Sequence, residues 1–315
     1  MDPLAEMLRT SCPAGDINVE RTSAVDAFFA ARGSSTESVA SRLVLLIDYD
    51  LTMSRSHSSE CHHMLRDARA LPVAFREDVH TLFAARKPGH PQHLEIYGLE
   101  EAHDRPHRFW TWYNSLLVRH GITEHMVVEA AAEERASRGA LLRDGVGDLL
   151  AMCEAKGVLV VVLSAGLEQV IRAACAQDGV EMPATTLVLT NSLIFDVMGR
   201  CVAVEPTAPP ASREGKLLLL GACDSLQSKD LVLMIGDKPV DARVARGLPA
   251  LKGGSQPART FLSYGFLNTE REPSTLPPNL EEWQAAFDIL ARQGDACNFA
   301  PLVTLVRELL DWTPG

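Results

Sequence analysis

The sequence predicts an α/β protein in which a doubly wound parallel sheet carries an inserted helical domain. Two short, almost continuous apolar runs, Arg42–Tyr49 and Val158–Leu163, have the pattern of central parallel strands that are buried on both faces. The second run is followed at once by a helical pattern at Leu167–Gln177, which is the strand-and-helix alternation of such sheets. Many more residues separate the two runs than a βαβ crossover needs, and their helical patterns predict an inserted domain.

The other elements of this Rossmann-like core follow in order along the chain. A first helix is predicted at Ala24–Arg32, ahead of the first central strand. After the second strand, apolar runs and turn residues predict a third strand, a hairpin, a fourth strand and two weaker strands. These lie at Thr186–Leu189, Leu193–Val204, Leu231–Ile235, Thr260–Tyr264 and Phe287–Leu290. We assign residues 1–54 and 141–315 to the core and residues 55–140 to the inserted helical cap.

Composition excludes several classes of protein. The 315 residues are 46% hydrophobic and 23% charged, as in soluble globular proteins, and a formal net charge of -11 opposes binding to a nucleic-acid polymer. The longest apolar runs are far shorter than the roughly 20 residues of a membrane-spanning helix, and residues 1–15 lack the pattern of a secretory signal. Seven scattered cysteines argue against a disulfide framework. We therefore expect a cytoplasmic protein with a small-molecule partner and no membrane partner; no pattern indicates its oligomeric state.

Acidic and hydroxyl side chains follow three of the predicted strands. Asp48 and Asp50 follow the first strand, Ser164 the second, and Asp237 and Asp241 the fourth. Ligands of doubly wound sheets bind at the carboxyl ends of the strands, so we expect these side chains to meet. One carboxylate can attack a phosphate while another transfers protons, a hydroxyl beside backbone N–H groups can hold the phosphate, and acidic oxygens suit Mg²⁺. Any one of these residues, taken alone, is more simply explained as a cap of a turn at the end of a strand. Their occurrence after three successive strands, in this order, predicts phosphoryl transfer.

Three segments carry a family resemblance. LLIDYDLT, LSAGLEQVI and LMIGDKPVDARVARG, in this order, resemble the haloacid-dehalogenase-like (HAD-like) phosphohydrolases, and within them the cytosolic pyrimidine 5′-nucleotidases. Shorter segments that fit the narrower family are Glu60–His62, His93–Glu95, Trp112–Tyr113, Leu189–Ser192 and Tyr264–Asn268. The resemblance runs from about Val44 to the C-terminus. It implies a HAD-like core that hydrolyses nucleoside 5′-monophosphates, pyrimidines preferred, to nucleoside and phosphate.

The resemblance also implies a role for each site residue. Asp48 would be the nucleophile that forms an aspartyl-phosphate, and Asp50 the general acid and base. Ser164 and its neighbour Ala165 would bind the phosphoryl group. The Mg²⁺ cofactor would be held by Asp48, the main-chain carbonyl of Asp50, Asp237 and, through water or a hydrogen bond, Asp241. In the cap, Glu95 and Trp112 would contact the nucleobase, although core packing is at least as good an explanation of Trp112.

The chain departs from the family at its phosphate-binding lysine. An alignment without gaps places Ser212 at that position, and Arg213, Lys216 and Lys238 are the possible substitutes. Without any cation, a phosphate dianion would face several carboxylates balanced by Mg²⁺ alone, and reactivity would fall.

Three alternatives therefore stay open. In the first, the chain is a HAD-like phosphatase that acts on another small phosphate ester. In the second, it is a catalytically weakened member of the family that binds a nucleotide or a protein partner. The third and least favoured is a zinc-binding cap, since all ten histidines lie between His57 and His125. His103 and His107 have the i, i+4 spacing that can place two ligands on one helix face. The sequence has no cysteine pair and no His-Glu-x-x-His pattern, which favours surface or base-contacting roles for the histidines.

Overall fold

The computed structural model describes residues 17–87, 89–93, 105–205, 213–248, 258–268, 279–292 and 297–311. The strands are β1 (Ile17–Val19), β2 (Leu43–Ile47), β3 (Leu159–Leu167), β4 (Leu187–Phe195), β5 (Cys201–Glu205), β6 (Leu231–Gly236), β7 (Thr260–Phe266) and β8 (Ile289–Ala291). They form one sheet in the order β1-β8-β7-β6-β2-β3-β4-β5. The block from β8 to β4 is parallel, whereas the edge strands β1 and β5 are antiparallel to their neighbours. The predicted α/β fold with a doubly wound parallel sheet is confirmed.

The central strands are buried on both faces, as their apolar runs predict. In β2, Leu43, Leu45 and Ile47 pack into one apolar cluster, while Val44 and Leu46 pack into a second cluster on the opposite face. β3 and β6 divide their side chains between the same two clusters. Because side chains alternate across a strand, a continuous apolar run supplies both layers of the core at once.

Helices cover both faces of the sheet. They are α1 (Thr22–Ala31), α2 (Val39–Arg42), α3 (Cys61–Asp67), α4 (Val73–Ala84), α5 (Arg105–Arg119), α6 (Glu124–Arg138), α7 (Val146–Lys156), α8 (Glu168–Gln177), α9 (Arg213–Gly221), α10 (Pro239–Arg246), α11 (Leu280–Ala286) and α12 (Ala300–Leu310). Buried side chains of α10 pack with Val44 and Leu46, and those of α7, α8 and α12 pack against the other face. In the described residues, no helix is long and apolar enough to cross a membrane.

The predicted elements recur with small shifts in their ends. The first helix, the central strands and the hairpin are present, and both weaker strand patterns correspond to strands, β7 and β8. β3 continues to Leu167, four residues beyond the predicted end at Leu163, through a register shift against β4. The sequence did not predict β1, a strand of three residues that pairs with β8.

The helices α3 to α6 lie between β2 and β3, inside the segment predicted as a cap. The chain enters and leaves this insert side by side, because Ser54 and Leu142 form an antiparallel bridge. A second bridge joins Thr123, in the turn between α5 and α6, to Arg200 in the β4–β5 hairpin. Backbone bridges therefore join the insert to the core at two places, in addition to the packing of α6 against α8. Its exact boundaries at residues 55 and 140 stay a prediction.

Candidate active site

The first pair of acidic residues follows β2 through a tight turn. Asp48 continues the strand, since its N–H donates to the carbonyl oxygen of Ile235 in β6 at 2.9 Å. Leu51 then adopts a φ of 62°, in the left-handed region that residues other than glycine rarely occupy. The N–H of Leu51 donates to Oγ of Ser54 at 2.7 Å, which closes the turn. Asp50 lies within this turn, so both acids stay at the carboxyl edge of the sheet.

Lys216 provides a cation at the buried side of the site. Its Nζ donates to Oδ1 of Asp48 at 2.9 Å and to Oδ1 of Asp241 at 2.8 Å. All three side chains are buried. Of the three cations that the sequence offers, Lys216 is the one hydrogen-bonded to Asp48 in the described part of the chain. Lys238 is exposed, and the side chain of Arg213 lies outside the described residues.

The two acids of the first pair differ in their electrostatic surroundings. Burial raises the pKa of Asp48 to about 6, against the opposing charge of Lys216. Burial would lower the pKa of Lys216, but Asp241 and Asp48 together raise it above its ordinary value, so the ammonium stays charged. Burial and the negative charges of Glu60 and Asp48 raise the pKa of Asp50 to about 7. Near neutral pH, Asp48 is mostly ionised while Asp50 exchanges protons readily, which suits one attacking group and one proton-transfer group.

Three carboxylates form a group that fits a divalent cation. Asp48, Asp237 and Asp241 each bring one oxygen within 4.8 Å of the others. Oδ1 of Asp237 is buried without a hydrogen-bond partner among the described residues, and burial raises the pKa of this carboxyl to about 8. Gly236 allows Asp241 to approach, because a Cβ at that glycine would lie 2.6 Å from Cβ of Asp241. Mg²⁺ prefers oxygen ligands, and one oxygen of this group has no other partner among the described residues, so the residues fit this ion.

Ser164 and Ala165 lie on β3, the strand beside β2. Ser164 is buried, and its Oγ accepts a hydrogen bond from the N–H of Gly166 at 3.0 Å. Nδ2 of Asn191 donates to the carbonyl oxygen of Ala165 at 2.8 Å, which fixes this segment from β4. Gly166 is in close contact with the insert, since a Cβ there would lie 2.6 Å from Sγ of Cys61. The hydroxyl is thus held at the same edge of the sheet as the acids of β2 and β6.

A group of aromatic rings from the insert lies near this edge. His62 stacks on Phe83 with ring centroids 5.6 Å apart and meets Trp110 edge-on at 5.1 Å. Burial lowers the pKa of His62 to about 3, so the imidazole is neutral. Trp112 is two positions from Trp110 on α5 and therefore points away from this group of rings. Glu95, the other predicted base contact, lies outside the described residues.

The start of α3 connects these rings with the acids that follow β2. The N–H of Cys61 donates to Oδ1 of Asp50 at 2.9 Å. The charge of Glu60, one residue earlier, contributes to the raised pKa of both Asp50 and Asp237. The ring group therefore borders the acidic group. Among the described residues, Trp110 rather than Trp112 is the tryptophan that contacts His62 in this ring group.

Arg143 is a residue of the site that sequence reasoning missed. It is buried, and its guanidinium carbon lies 4.4 Å from the ring centroid of Phe266. Its hydrogen-bond acceptors include the carbonyl oxygens of Leu51, Thr52 and Cys297 and Oδ1 of Asn268, at 3.1, 3.0, 2.8 and 2.7 Å. Asn268 also donates from Nδ2 to the carbonyl oxygen of Leu51 at 3.0 Å. Arg143 and Asn268 together hold the turn that carries Asp50.

Comparisons with known proteins agree with this arrangement. A sequence profile described as "Pyrimidine 5′-nucleotidase (UMPH-1)" matches residues 50–304. A 7-methylguanosine phosphate-specific 5′-nucleotidase of Gallus gallus is 23% identical over 246 residues, which cover 75% of this chain and 79% of the relative. A Xenopus laevis protein of the same description is 22% identical over 259 residues, 79% of this chain and 82% of the relative.

A solved structure has the same fold. The crystal structure of cytosolic 5′-nucleotidase IIIB bound to cytidine superimposes with a TM-score of 0.69. The match covers 94% of this chain and 93% of that one, at 18% identity. The sheet and the inserted helices described above are therefore an arrangement that a solved nucleotidase shares.

Proposed function

Because the chain belongs to the pyrimidine 5′-nucleotidase (UMPH-1) family, we propose that it is an active phosphomonoesterase that hydrolyses nucleoside 5′-monophosphates, with pyrimidines preferred. The observation that carries the proposal is the contact of Lys216 with both Asp48 and Asp241. A buried ammonium at this place offsets the repulsion between a phosphate dianion and the carboxylates. Lys216 thus supplies the positive charge of the family's phosphate-binding lysine, whose position Ser212 occupies in the alignment without gaps. The absence of that lysine was the reason to consider a catalytically weakened protein.

The first step transfers the phosphoryl group to the enzyme. A carboxylate oxygen of Asp48 attacks phosphorus, and the bond between phosphorus and the 5′ oxygen breaks. Asp50 donates its proton to the departing oxygen, so the product is a neutral nucleoside. Ser164 and the backbone N–H of Ala165 hold the phosphoryl oxygens, with Lys216 behind the nucleophile and Lys238 at the exposed side. Arg213 is a further candidate phosphate contact.

The second step returns the enzyme to its starting state. Asp50, now ionised, takes a proton from a water molecule, and the water oxygen attacks phosphorus. The bond between phosphorus and the Asp48 oxygen breaks, which releases inorganic phosphate. A pKa of about 7 allows Asp50 to serve as the acid in the first step and as the base in the second.

Mg²⁺ is the cofactor that the site fits; Asp48, the main-chain carbonyl of Asp50 and Asp237 would hold it, with Asp241 assisting. When bound, it supplies positive charge that stabilises the transferring phosphoryl group. Oδ1 of Asp237 supports this assignment, because burial without a hydrogen bond is costly for a carboxylate.

A second candidate substrate is a 7-methylguanosine monophosphate. The relatives from Gallus gallus and Xenopus laevis are described as specific for it. Trp110 and His62 offer ring faces and edges beside the acidic group, and a positively charged methylated base is attracted to aromatic faces. Glu95 and Trp112 are the base contacts that the resemblance implies; we propose Trp110 in place of Trp112, because the Trp110 ring contacts His62. We place the reaction in the cytosol, as the name of the structurally similar nucleotidase indicates.

The test is phosphate release from a panel of substrates with Mg²⁺ present. The panel contains pyrimidine and purine 5′-monophosphates, 7-methylguanosine monophosphate and simple phosphate esters, assayed with the parent protein and Asp48→Asn. Release that favours nucleotides and disappears in Asp48→Asn supports the proposal. Equal or better hydrolysis of the simple esters would indicate a general phosphatase. No hydrolysis by a folded protein that binds Mg²⁺ would contradict the proposed activity and favour a protein that binds a nucleotide or a protein partner without turnover.

A further inference from the structure

A second group of possible metal ligands lies at the start of α3. Glu60, His62 and His63 each offer one ligand atom, and these atoms lie within 4.8 Å of one another. Oε2 of Glu60 is 3.4 Å from Nε2 of His62 and 3.9 Å from Nδ1 of His63. Both distances exceed the 2.7 to 3.2 Å typical of a hydrogen bond to nitrogen. Two ligands with bonds of about 2.0 to 2.2 Å to one tetrahedral zinc ion stand roughly 3.4 Å apart.

His62 provides a second, independent observation. Its side chain is 9% exposed, and its ring is fixed by Phe83 and Trp110. Nε2 is the ring nitrogen that faces Oε2 of Glu60, so it is the atom placed to bind an ion between the two side chains. A buried, neutral imidazole that faces a carboxylate beyond hydrogen-bond distance has the form and the spacing of a metal ligand.

We propose that Glu60, His62 and His63 bind a zinc-type divalent transition-metal ion, at a centre distinct from the carboxylates of Asp48, Asp237 and Asp241. Two imidazoles and one carboxylate are ligands of zinc and its neighbours in the first transition row, whereas Mg²⁺ prefers oxygen ligands alone. The side chains of Glu60 and His63 are 16% and 27% exposed, so a fourth coordination position is open to water. Three protein ligands with one open position is a common form of zinc site.

The neighbouring thiol does not belong to this centre. Cys61 lies between Glu60 and His62 in sequence but is fully buried against Gly166 of the phosphate-binding segment. The proposed centre therefore has only nitrogen and oxygen ligands. Copper(I), which prefers thiolate ligands, is disfavoured there. It borders the catalytic group, because the N–H of Cys61 donates to Asp50.

The test measures binding of zinc alone to the full chain after its metals have been removed with a chelator. It uses the Asp237→Asn background, which weakens the carboxylate centre and leaves the proposed one intact. Equilibrium dialysis with elemental analysis is expected to show one bound zinc per chain. Cobalt(II) in its place is expected to give the intense visible absorption of four-coordinate sites rather than the weak bands of six-coordinate ones.

Two variants and a matched control decide the assignment. His62→Phe keeps the ring packing and removes both nitrogens, and His63→Ala removes the second imidazole. Each is expected to weaken zinc binding by at least about tenfold. His80→Ala is the control, since His80 is an exposed histidine whose Nε2 lies 4.0 Å from Asp67, and its zinc binding should equal that of the background.

Circular dichroism confirms that each variant is folded before its affinity is used. Zinc affinity unchanged in both variants would overturn the proposal. An equal loss in His80→Ala, or zinc binding that disappears with Asp237→Asn alone, would overturn it as well, because the ion would then sit on the surface or on the carboxylates.

Discussion

Arg143 donates a hydrogen bond from Nη2 to the carbonyl oxygen of Leu51 at 3.1 Å, and Leu51 is the residue with positive φ in the turn after β2. The same guanidinium binds the carbonyl oxygen of Thr52 at 3.0 Å. Glycine adopts a positive φ easily because it has no Cβ, whereas here the residue is a leucine. The hydrogen bonds from the buried guanidinium of Arg143 stabilise this conformation of Leu51. The position of Asp50, which lies between Asp48 and Leu51, depends on this turn.

Replacement of Arg143 tests that dependence. Arg143→Lys keeps the charge but loses the planar fork of donors, and we expect a loss of about 3 kcal/mol in the free energy of unfolding because buried carbonyls lose their partners. We also expect kcat to fall more than KM rises, since the turn positions the acid rather than the substrate. Arg119→Lys, at an exposed arginine of α5, should change stability by less than about 0.5 kcal/mol. Equal effects of the two substitutions in denaturant titrations would contradict this role.

Lys216 is expected to be the essential cation. Lys216→Met leaves two buried carboxylates facing each other, and we expect kcat to fall by at least about 100-fold because a charge aimed at the phosphoryl group is lost. Lys238→Met removes an exposed cation of the same edge and should cost less than about tenfold. Steady-state phosphate release measures both, and a larger effect of Lys238→Met would assign the phosphate contact to that residue instead.

The rate should have a bell-shaped pH dependence. Asp48 must be ionised to attack and has a pKa of about 6, whereas Asp50 must be protonated to donate and has a pKa of about 7. We therefore expect kcat/KM to rise as the pH increases through about 6 and to fall above about 7. Asp50→Asn should remove the falling limb along with most of the activity. A rate that keeps rising above pH 8 would exclude Asp50 as the proton donor.

Asp237 should make the metal-free protein less stable as the pH rises. Its carboxyl has a pKa of about 8 in the fold against an ordinary 3.8, so the folded state binds the extra proton. The free energy by which this proton stabilises the folded state is fully present below about pH 4 and is lost as the pH rises through about 8. We expect Asp237→Asn to raise the Tm of the metal-free protein at pH 8 and to abolish the rise in Tm that Mg²⁺ gives the parent. Thermal melting with and without a chelator measures both effects.

The two tryptophans of α5 should differ in their effect on substrate choice. Trp110→Leu removes a ring that meets His62 beside the acidic group, and we expect it to raise KM for nucleotides severalfold while sparing simple phosphate esters. Trp112→Leu is the matched control on the other side of the helix and should alter stability more than substrate ranking. If Trp112→Leu changed the order of preferred bases, the sequence-based assignment would be the correct one.

The core strands were predictable because their sequence pattern has one physical cause. An apolar run such as Leu43–Ile47 is needed only where both faces of a strand are buried, and the acids at its end mark the ligand edge. β1 has three residues, too few for a periodic pattern, and its place at the sheet edge depends on pairing with a distant strand.

The functional contacts were harder to predict than the fold. Lys216 was one of three candidate cations, because only the position of α9 decides which ammonium reaches Asp48. Arg143 left no signal, since its partners are mostly backbone carbonyls, which every residue carries. Trp110 and Trp112 are equivalent by composition, and only the orientation of α5 separates them.

The bridge between Thr123 and Arg200 limits how the inserted helices can move. The insert is held elsewhere too, because α6 packs along α8 and Nε of Arg135 lies 2.7 Å from Oδ1 of Asp178. Apolar side chains of the insert and of the core also belong to one continuous cluster. To swing away as a flap, the insert would have to break this packing as well as the two bridges. A change in the length of the β4–β5 hairpin would displace Arg200 and, with it, the turn that joins α5 to α6.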